Sequence, residues 1–297
     1  LSNKKLMKKT RIVTDGSVHF PDPEIPRTHR INVVPYSIDV DRRTMTDGLG
    51  NISPERYLDH VAKSNARPEV RAPTIDAFTE SFRTLEHSKT DVLCLCASRH
   101  LSDAWNNAKS AADIVQGKIK IVVIDSLTTS IGLGLMIEAA TKAISSGASI
   151  EEAAYVVRKR IPNVYGIFFM ESMQYLQYGG WVGPAQSTLA TMLGVKPIFA
   201  LESGGFIPFE KVRTRTQALE RLMEFATEFP EIEQLTVLRG RARVASAARQ
   251  LRTRLGDIYP NARITNAIFG PILASLIGPD GLGIILCEHE SSKKLGE

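Results

Sequence analysis

A chain of 297 residues is longer than one hydrophobic core usually grows, so two domains are expected. With 43% hydrophobic and 23% charged residues it has the make-up of an ordinary soluble globular protein, which excludes disorder over any large part. The net charge of +5 comes from scattered basic residues, which is thin support for a nucleic-acid regulator.

The first segment, Leu1–Thr10, carries Lys4, Lys5, Lys8 and Lys9 but lacks the apolar centre and cleavage site of a signal peptide, so a basic tail is expected over 1–10. From there to 162, short apolar runs alternate with helical patterns. Strands are predicted at Arg11–Asp15, Asn32–Val40, Val92–Ala97 and Lys120–Asp125. Helices are predicted at Leu101–Val115, at Ser130–Ser146 ended by Gly147, and at Ile150–Arg160 ended before Pro162. This order predicts an α/β domain over 11–162 with a parallel sheet, whose strand ends carry loops that converge where ligands bind in such sheets. The apolar run around Ile131–Ile137 is far short of the roughly 20 residues of a membrane span, and no segment is expected to cross a bilayer.

The second half, 163–288, reads as a C-terminal α/β domain with a mixed sheet. Strands are predicted at Tyr165–Met170, Pro197–Leu201, Phe206–Phe209, Gln234–Arg239, Arg263–Ile268 and Gly283–Cys287, and Glu202-Ser203-Gly204-Gly205 signals a hairpin of four loop residues. A polar tail, 289–297, follows. Between Arg239 and Arg254 six arginines oppose Val244, Ala247, Ala248 and Leu251 at helical spacing, which fits either a solvated face or a partner-binding one.

Chemistry-bearing motifs are scarce. Cys94, Cys96 and Cys287 neither form a disulfide framework nor show C-x-x-C spacing; Cys94 and Cys96 read as small buried hydrophobes on one side of a strand, in a reducing cytoplasm. No phosphate loop, nucleophile elbow or H-E-x-x-H pair occurs, and Gly132-Leu133-Gly134 is only a fragment of a dinucleotide fingerprint, better suited to close helix packing. Asp15 and Asp125, at the ends of two strands, leave open a hydrolase or transferase that uses them as acid-base or metal groups.

Motifs in order along nearly the whole chain carry a resemblance. They are Ile12-Val13-Thr14-Asp15-Gly16-Ser17, Val33-Val34-Pro35, Ser98-Arg99-His100-Leu101-Ser102, Val123-Ile124-Asp125-Ser126 and Tyr175-Leu176-Gln177-Tyr178-Gly179-Gly180. They continue with Leu193-Gly194-Val195-Lys196-Pro197-Ile198, then Gly205-Phe206-Ile207-Pro208-Phe209-Glu210-Lys211-Val212-Arg213-Thr214, and finally Gly278-Pro279-Asp280-Gly281-Leu282-Gly283. In this the chain resembles the DegV family of bacterial fatty-acid-binding proteins. The resemblance implies a two-domain α/β fold with a long-chain fatty acid such as palmitate held between the domains. It also implies no enzymatic activity of the chain itself, no cofactor beyond that ligand, and a separate ATP-dependent fatty-acid kinase as partner.

The family's head-group residues are altered here. Its threonine-serine-glutamine-proline-serine segment becomes Val70-Arg71-Ala72-Pro73-Thr74; its paired serines become Ser98-Arg99, with Ser102 kept and Asp103 after it; its arginine after the glycine pair becomes Trp181, and its histidine Leu276. The ligand-binding candidates are therefore Ser98, Arg99, Ser102, Arg71, Thr74, Trp181, Val70 and Leu276. Either Arg71 or Arg99 holds a carboxylate by a bidentate pair, or Val70, Trp181 and Leu276 make an apolar end that fits a neutral or smaller head, or no ligand. Ser98 and Ser102 also suit capping of the next helix. Lys211, Arg213 and Arg215 are candidates for the partner surface, with a structural cluster at a helix start as the alternative.

Overall fold

The computed structural model describes residues 9–41, 43–47, 52–64, 68–115, 117–180 and 182–289. The expected tails therefore fall almost wholly outside the described residues, and so does Trp181. In chain order the elements are β1 Thr10–Asp15, α1 Ile25–Thr28, β2 Asn32–Val34, β3 Tyr36–Val40, β4 Arg43–Asp47, α2 Pro54–Lys63, β5 Glu69–Arg71, α3 Ile75–His87 and β6 Asp91–Cys96. There follow α4 Ala104–Ile114, β7 Ile121–Asp125, α5 Ser130–Ser145, α6 Ile150–Arg160, β8 Val164–Phe169, α7 Gln174–Tyr178, α8 Pro184–Met192 and β9 Lys196–Glu202. The chain continues with β10 Gly205–Val212, α9 Arg215–Thr227, β11 Ile232–Arg239, α10 Ala245–Ile258, β12 Arg263–Ile268, α11 Pro271–Ile277 and β13 Leu282–Glu288.

These elements form two units, one of Leu1–Ser37, Asp47–Leu49 and Arg71–Pro162, the other of Ile38–Thr46, Gly50–Val70 and Asn163–Glu297. The chain passes from the first unit to the second after Pro162, and most of 38–70 groups with the second unit. The reason is local. The predicted strand Asn32–Val40 is broken at Pro35, which has no N–H to give a ladder. Its first part, β2, pairs with β1, and its second, β3, lies in a separate three-stranded sheet of order β4-β3-β5. Within the second unit, Tyr57 of α2 shares a hydrogen bond of 2.9 Å with Ser275 of α11.

The first unit is built on a parallel sheet of order β2-β1-β6-β7, as the alternation of runs predicts. Helices α3 and α4 pack together against β6, and α5 and α6 do likewise, so every β6 residue is buried. Cys94 and Cys96 sit in this strand, both fully buried, and burial pushes the Cys96 thiol well up. The two glycines of Gly132-Leu133-Gly134 serve close approach to loops rather than a dinucleotide: a Cβ at Gly132 would lie 2.2 Å from the Thr128 hydroxyl, and one at Gly134 2.1 Å from the His19 carbonyl oxygen.

The second unit carries a six-stranded sheet of order β10-β9-β8-β13-β11-β12, antiparallel throughout except for β11 with β12. Ile167, Phe169, Ile284 and Leu286 on one face pack with Leu222, Leu251 and Leu255 of α9 and α10. On α10, Arg254 forks onto Glu220, and Arg241 and Arg243 just before it pair with Asp280, so much of that arginine run is engaged within the unit. On the sheet's opposite face the Phe168 ring lies against Gly166 and Gly283, where added Cβ atoms would come within 3.1 and 2.4 Å of it. The β9–β10 hairpin closes with two loop residues, not four: Ser203 and Gly204 both have positive φ, 49° and 86°, the geometry whose twist matches a tight hairpin.

Gly134 should tolerate no side chain, because the obstructing atom is backbone. Gly134→Ala is expected to lower stability by about 1–3 kcal/mol, the usual range for overpacking, as measured by chemical denaturation of the full chain. An unchanged midpoint would show that the His19 loop is free to move away.

Candidate functional site

In the first unit the chain leaves β1 for β2 on one side, while β6 and β7 lie on the other. The sheet's switch point is therefore between the C-terminal ends of β1 and β6, the place where open α/β sheets hold ligands. Three loops meet there. Backbone bonds run from Ser98 N to Thr128 O (2.8 Å), from Ser126 N to Cys96 O (3.1 Å) and from His19 N to Ser130 O (3.2 Å).

Asp15, fully buried, ties the two sides of the switch point. Its Oδ1 accepts the Ser17 N–H at 2.9 Å and its Oδ2 the Ala97 N–H at 2.7 Å. Burial pushes this carboxyl above the ordinary carboxylate range, while hydrogen bonds from Ser17 and Ala97 pull against the shift. Asp125 Oδ1 accepts the N–H of Leu127 at 3.0 Å in a local turn, and its Oδ2 lies 3.5 Å from Arg99 Nε. With β6 between their strands, the two aspartates start from backbones roughly 10 Å apart, two strand spacings. Both are occupied in bracing loops, which speaks against the acid-base or metal pair entertained from the sequence.

The remaining candidates fall into place as follows. Ser98 is fully buried, and its Oγ accepts the His100 N–H at 3.2 Å. Ser102, half-buried, accepts the Ala104 N–H at 3.1 Å at the start of α4 and lies 2.6 Å from the Tyr36 hydroxyl. Arg99 is half exposed; its guanidinium pairs with Asp125 and stacks over Trp105, 5.6 Å from the ring centre. Thr74 caps α3 through the Ala77 N–H at 3.2 Å and is exposed, as is Arg71. Val70 and Leu276, both partly buried, belong to the second unit. In that unit Lys211 and Arg213 are exposed, whereas Arg215 is partly buried and bonds Glu171 at 2.7 Å. Burial would raise the Glu171 carboxyl, but hydrogen bonds from Lys196 and Arg215 hold it below the usual range.

Several hydroxyl-bearing residues lie at the strand ends and loops of the switch point. Thr14, Thr128 and Ser130 contribute buried hydroxyl oxygens with no hydrogen-bond partner among the described residues, each at a cost of about 1–3 kcal/mol unless water or a ligand meets it. Tyr36 and Trp105 were not among the sequence candidates. Tyr36 had a signal, since Tyr36, Ile38 and Val40 alternate inward along β3 and a buried tyrosine needs a partner for its hydroxyl.

The sequence pattern of the DegV family, described as a family of uncharacterised proteins, matches residues 9–289. The chain belongs to the DegV family. A DegV domain-containing protein of Streptomyces coelicolor is 27% identical over 284 residues, covering 95% of this chain and 99% of its own. The crystal structure of DegV, a fatty acid binding protein from Bacillus subtilis, has a TM-score of 0.82 at 25% identity and covers 95% of this chain and 100% of its own. The Streptococcus pneumoniae fatty acid kinase B3 protein, solved with linoleic acid, has a TM-score of 0.81 with the same coverages; at 17% identity it shares the fold. The two-domain α/β architecture expected from the DegV motifs is thereby established.

The bracing roles of the two aspartates are separable. Asp15→Asn puts an amide NH2 against a backbone N–H whichever way it turns, so stability should fall by about 2–3 kcal/mol. Asp125→Asn keeps an oxygen for Leu127 and should cost less than Asp15→Asn, because the pair it weakens is long, 3.5 Å, and its Arg99 partner is half exposed to water. Denaturant midpoints of the two variants check this order; a larger loss for Asp125→Asn would contradict it.

Proposed function

We propose that the chain is a lipid-binding carrier that holds one long-chain fatty acid, with the carboxyl end at the hydroxyl-rich switch point of the first unit. The observation that carries the proposal is that Ser98, Ser102, Thr14, Thr128 and Ser130 all lie at that edge, the last three with buried hydroxyls that have no hydrogen-bond partner among the described residues. The full-length likeness to the Bacillus subtilis fatty-acid-binding DegV supports it. A carboxylate leaving water needs donors, and hydroxyls supply them without adding a competing charge. Arg99 already has Asp125 for its charge and Trp105 for its flat face, which favours the hydroxyls over an arginine fork as the holders of the head. In this proposal the chain binds and presents its ligand and is not itself an enzyme.

Protein purified from a bacterial host should then carry one co-purified acyl chain of about 14 to 18 carbons. Burying about 15 methylenes is worth roughly 12 kcal/mol against association costs of about 4 to 15 kcal/mol, so the chain rather than the head supplies most of the affinity. Native mass spectrometry followed by lipid extraction is the check. Repeated preparations without stoichiometric lipid, and without uptake of added fatty acid, would end the carrier proposal.

A separate fatty-acid kinase is the partner this proposal favours, in keeping with the pneumococcal kinase-subunit neighbour. Lys211 and Arg213 suit its docking, being exposed and without an ion-pair partner among the described residues, whereas Arg215 is anchored on Glu171. Charge reversal at Lys211 and Arg213 should weaken association with a kinase subunit by at least tenfold at low salt, leaving lipid content unchanged. The same reversal at Arg215 should lower stability instead. Equal kinase binding by wild type and the Lys211/Arg213 variant, measured by titration, would remove this surface from the proposal.

A further inference from the structure

Tyr36 opens β3 immediately after Pro35, and its side chain is 2% exposed. Its hydroxyl has one hydrogen-bond partner among the described residues, Ser102 Oγ at 2.6 Å. Heavy-atom distance alone does not say which of the two donates, but burial does. If Ser102 donated, the phenol proton would be left in the interior with no acceptor, an arrangement that folded proteins avoid. If Tyr36 donates, its proton is satisfied, and the proton left over belongs to Ser102, which is only partly buried and can turn it outward. Burial, reinforced by the nearby charge of Asp15, holds the phenol well above the ordinary tyrosine range, so the proton stays on Tyr36 at every working pH.

A serine hydroxyl has two lone pairs and one proton. At Ser102 one lone pair takes the Ala104 N–H at 3.1 Å and the other takes Tyr36. We infer that Tyr36 is a positioning residue: by filling the second lone pair of Ser102 it commits that hydroxyl to donate, so the ligand atom meeting it must be an acceptor. This rests on the lipid-carrier proposal and goes beyond it by stating the head-group chemistry. A carboxylate oxygen is a strong acceptor and suits the site; a head whose proton seeks a lone pair does not. The selectivity comes from a residue that never touches the ligand and lies 66 positions away from Ser102 in sequence.

The test compares hexadecanoic acid with 1-hexadecanol on delipidated protein, in wild type, Tyr36→Phe, Ser102→Ala and the double variant. Wild type should prefer the acid. Tyr36→Phe keeps the ring but frees a lone pair on Ser102, which can then accept from the alcohol, so the acid-to-alcohol affinity ratio should narrow about five- to tenfold. The ratio of hexadecanoic to dodecanoic acid should stay as in wild type. Ser102→Ala should narrow the acid-to-alcohol ratio as well, and adding Tyr36→Phe to it should narrow it no further, because the two act through one hydroxyl.

Partial unfolding would weaken both ligands alike, so a structural role cannot mimic the change in ratio. An unchanged ratio in Tyr36→Phe, or a loss equal for acid and alcohol, overturns the inference while leaving the carrier proposal standing. If Tyr36→Phe does not fold, Ser102→Ala alone decides, and an unaltered ratio there overturns it. Wild type that binds neither ligand overturns the carrier proposal and this inference with it.

Discussion

The buried carboxylate of Asp15 is the interaction on which the candidate site depends. It stands at the one place in the first unit where neighbouring strands diverge in their connections, and it accepts one N–H from its own loop and one from the loop after β6. A gap between two strand ends would otherwise leave those N–H groups unmatched in the interior, at about 1–3 kcal/mol each. Burial works against the charge of the carboxylate and the two N–H groups work for it, so the group is held in a stiff frame rather than left available for proton traffic. The hydroxyl side chains of the edge are arranged on that frame. Ser98 follows Ala97 directly, its own N–H goes to the Thr128 carbonyl, and Ser102 takes its place one turn later at the head of α4.

The second unit meets a different demand, an apolar sheet whose central strands β8, β13 and β11 are largely buried. On one face ordinary helix packing suffices, with leucines of α9 and α10 set into the isoleucines and phenylalanines of the strands. On the other, Phe168 lies flat against strand backbone because residues 166 and 283 are glycines, and it meets Phe206 edge to face at 5.5 Å. Several charged groups near the sheet's rim are paired: Lys196 and Arg215 on Glu171, Arg241 and Arg243 on Asp280.

Much of this was legible in the sequence because each signal was local. Short apolar runs such as Val92–Ala97, alternating with helical patterns, announced a parallel sheet, and Glu202-Ser203-Gly204-Gly205 announced the hairpin, although its loop is Ser203-Gly204 alone. Helix α2 was missed, although Ser53 and Pro54 mark its start and Tyr57, Leu58 and Val61 line one face. The strand β5 had no such signal, being three residues long and largely exposed. Pro35 carried information that was read too weakly: a residue without an N–H in the middle of a predicted strand is grounds for dividing it. The site residues show the sharper limit. Ser98 and Ser102 could be named from their place after a strand, but the facts that decide their chemistry are long-range: Asp15 reaching Ala97, Arg99 reaching Asp125, and Tyr36 reaching Ser102. No spacing rule encodes such contacts, since they exist only once the strands are side by side.

The central claim is that the head of a bound fatty acid is held by hydroxyl donors at the switch point of the first unit. A crystal structure of the protein loaded with hexadecanoic acid tests it most directly. The account predicts a carboxylate oxygen about 2.5–3.0 Å from Ser102 Oγ, with Arg99 still on Asp125 and both Asp15 oxygens still on their backbone N–H groups. A carboxylate held by Arg71, or by side chains of the second unit, with Ser102 Oγ out of hydrogen-bond reach, would contradict it.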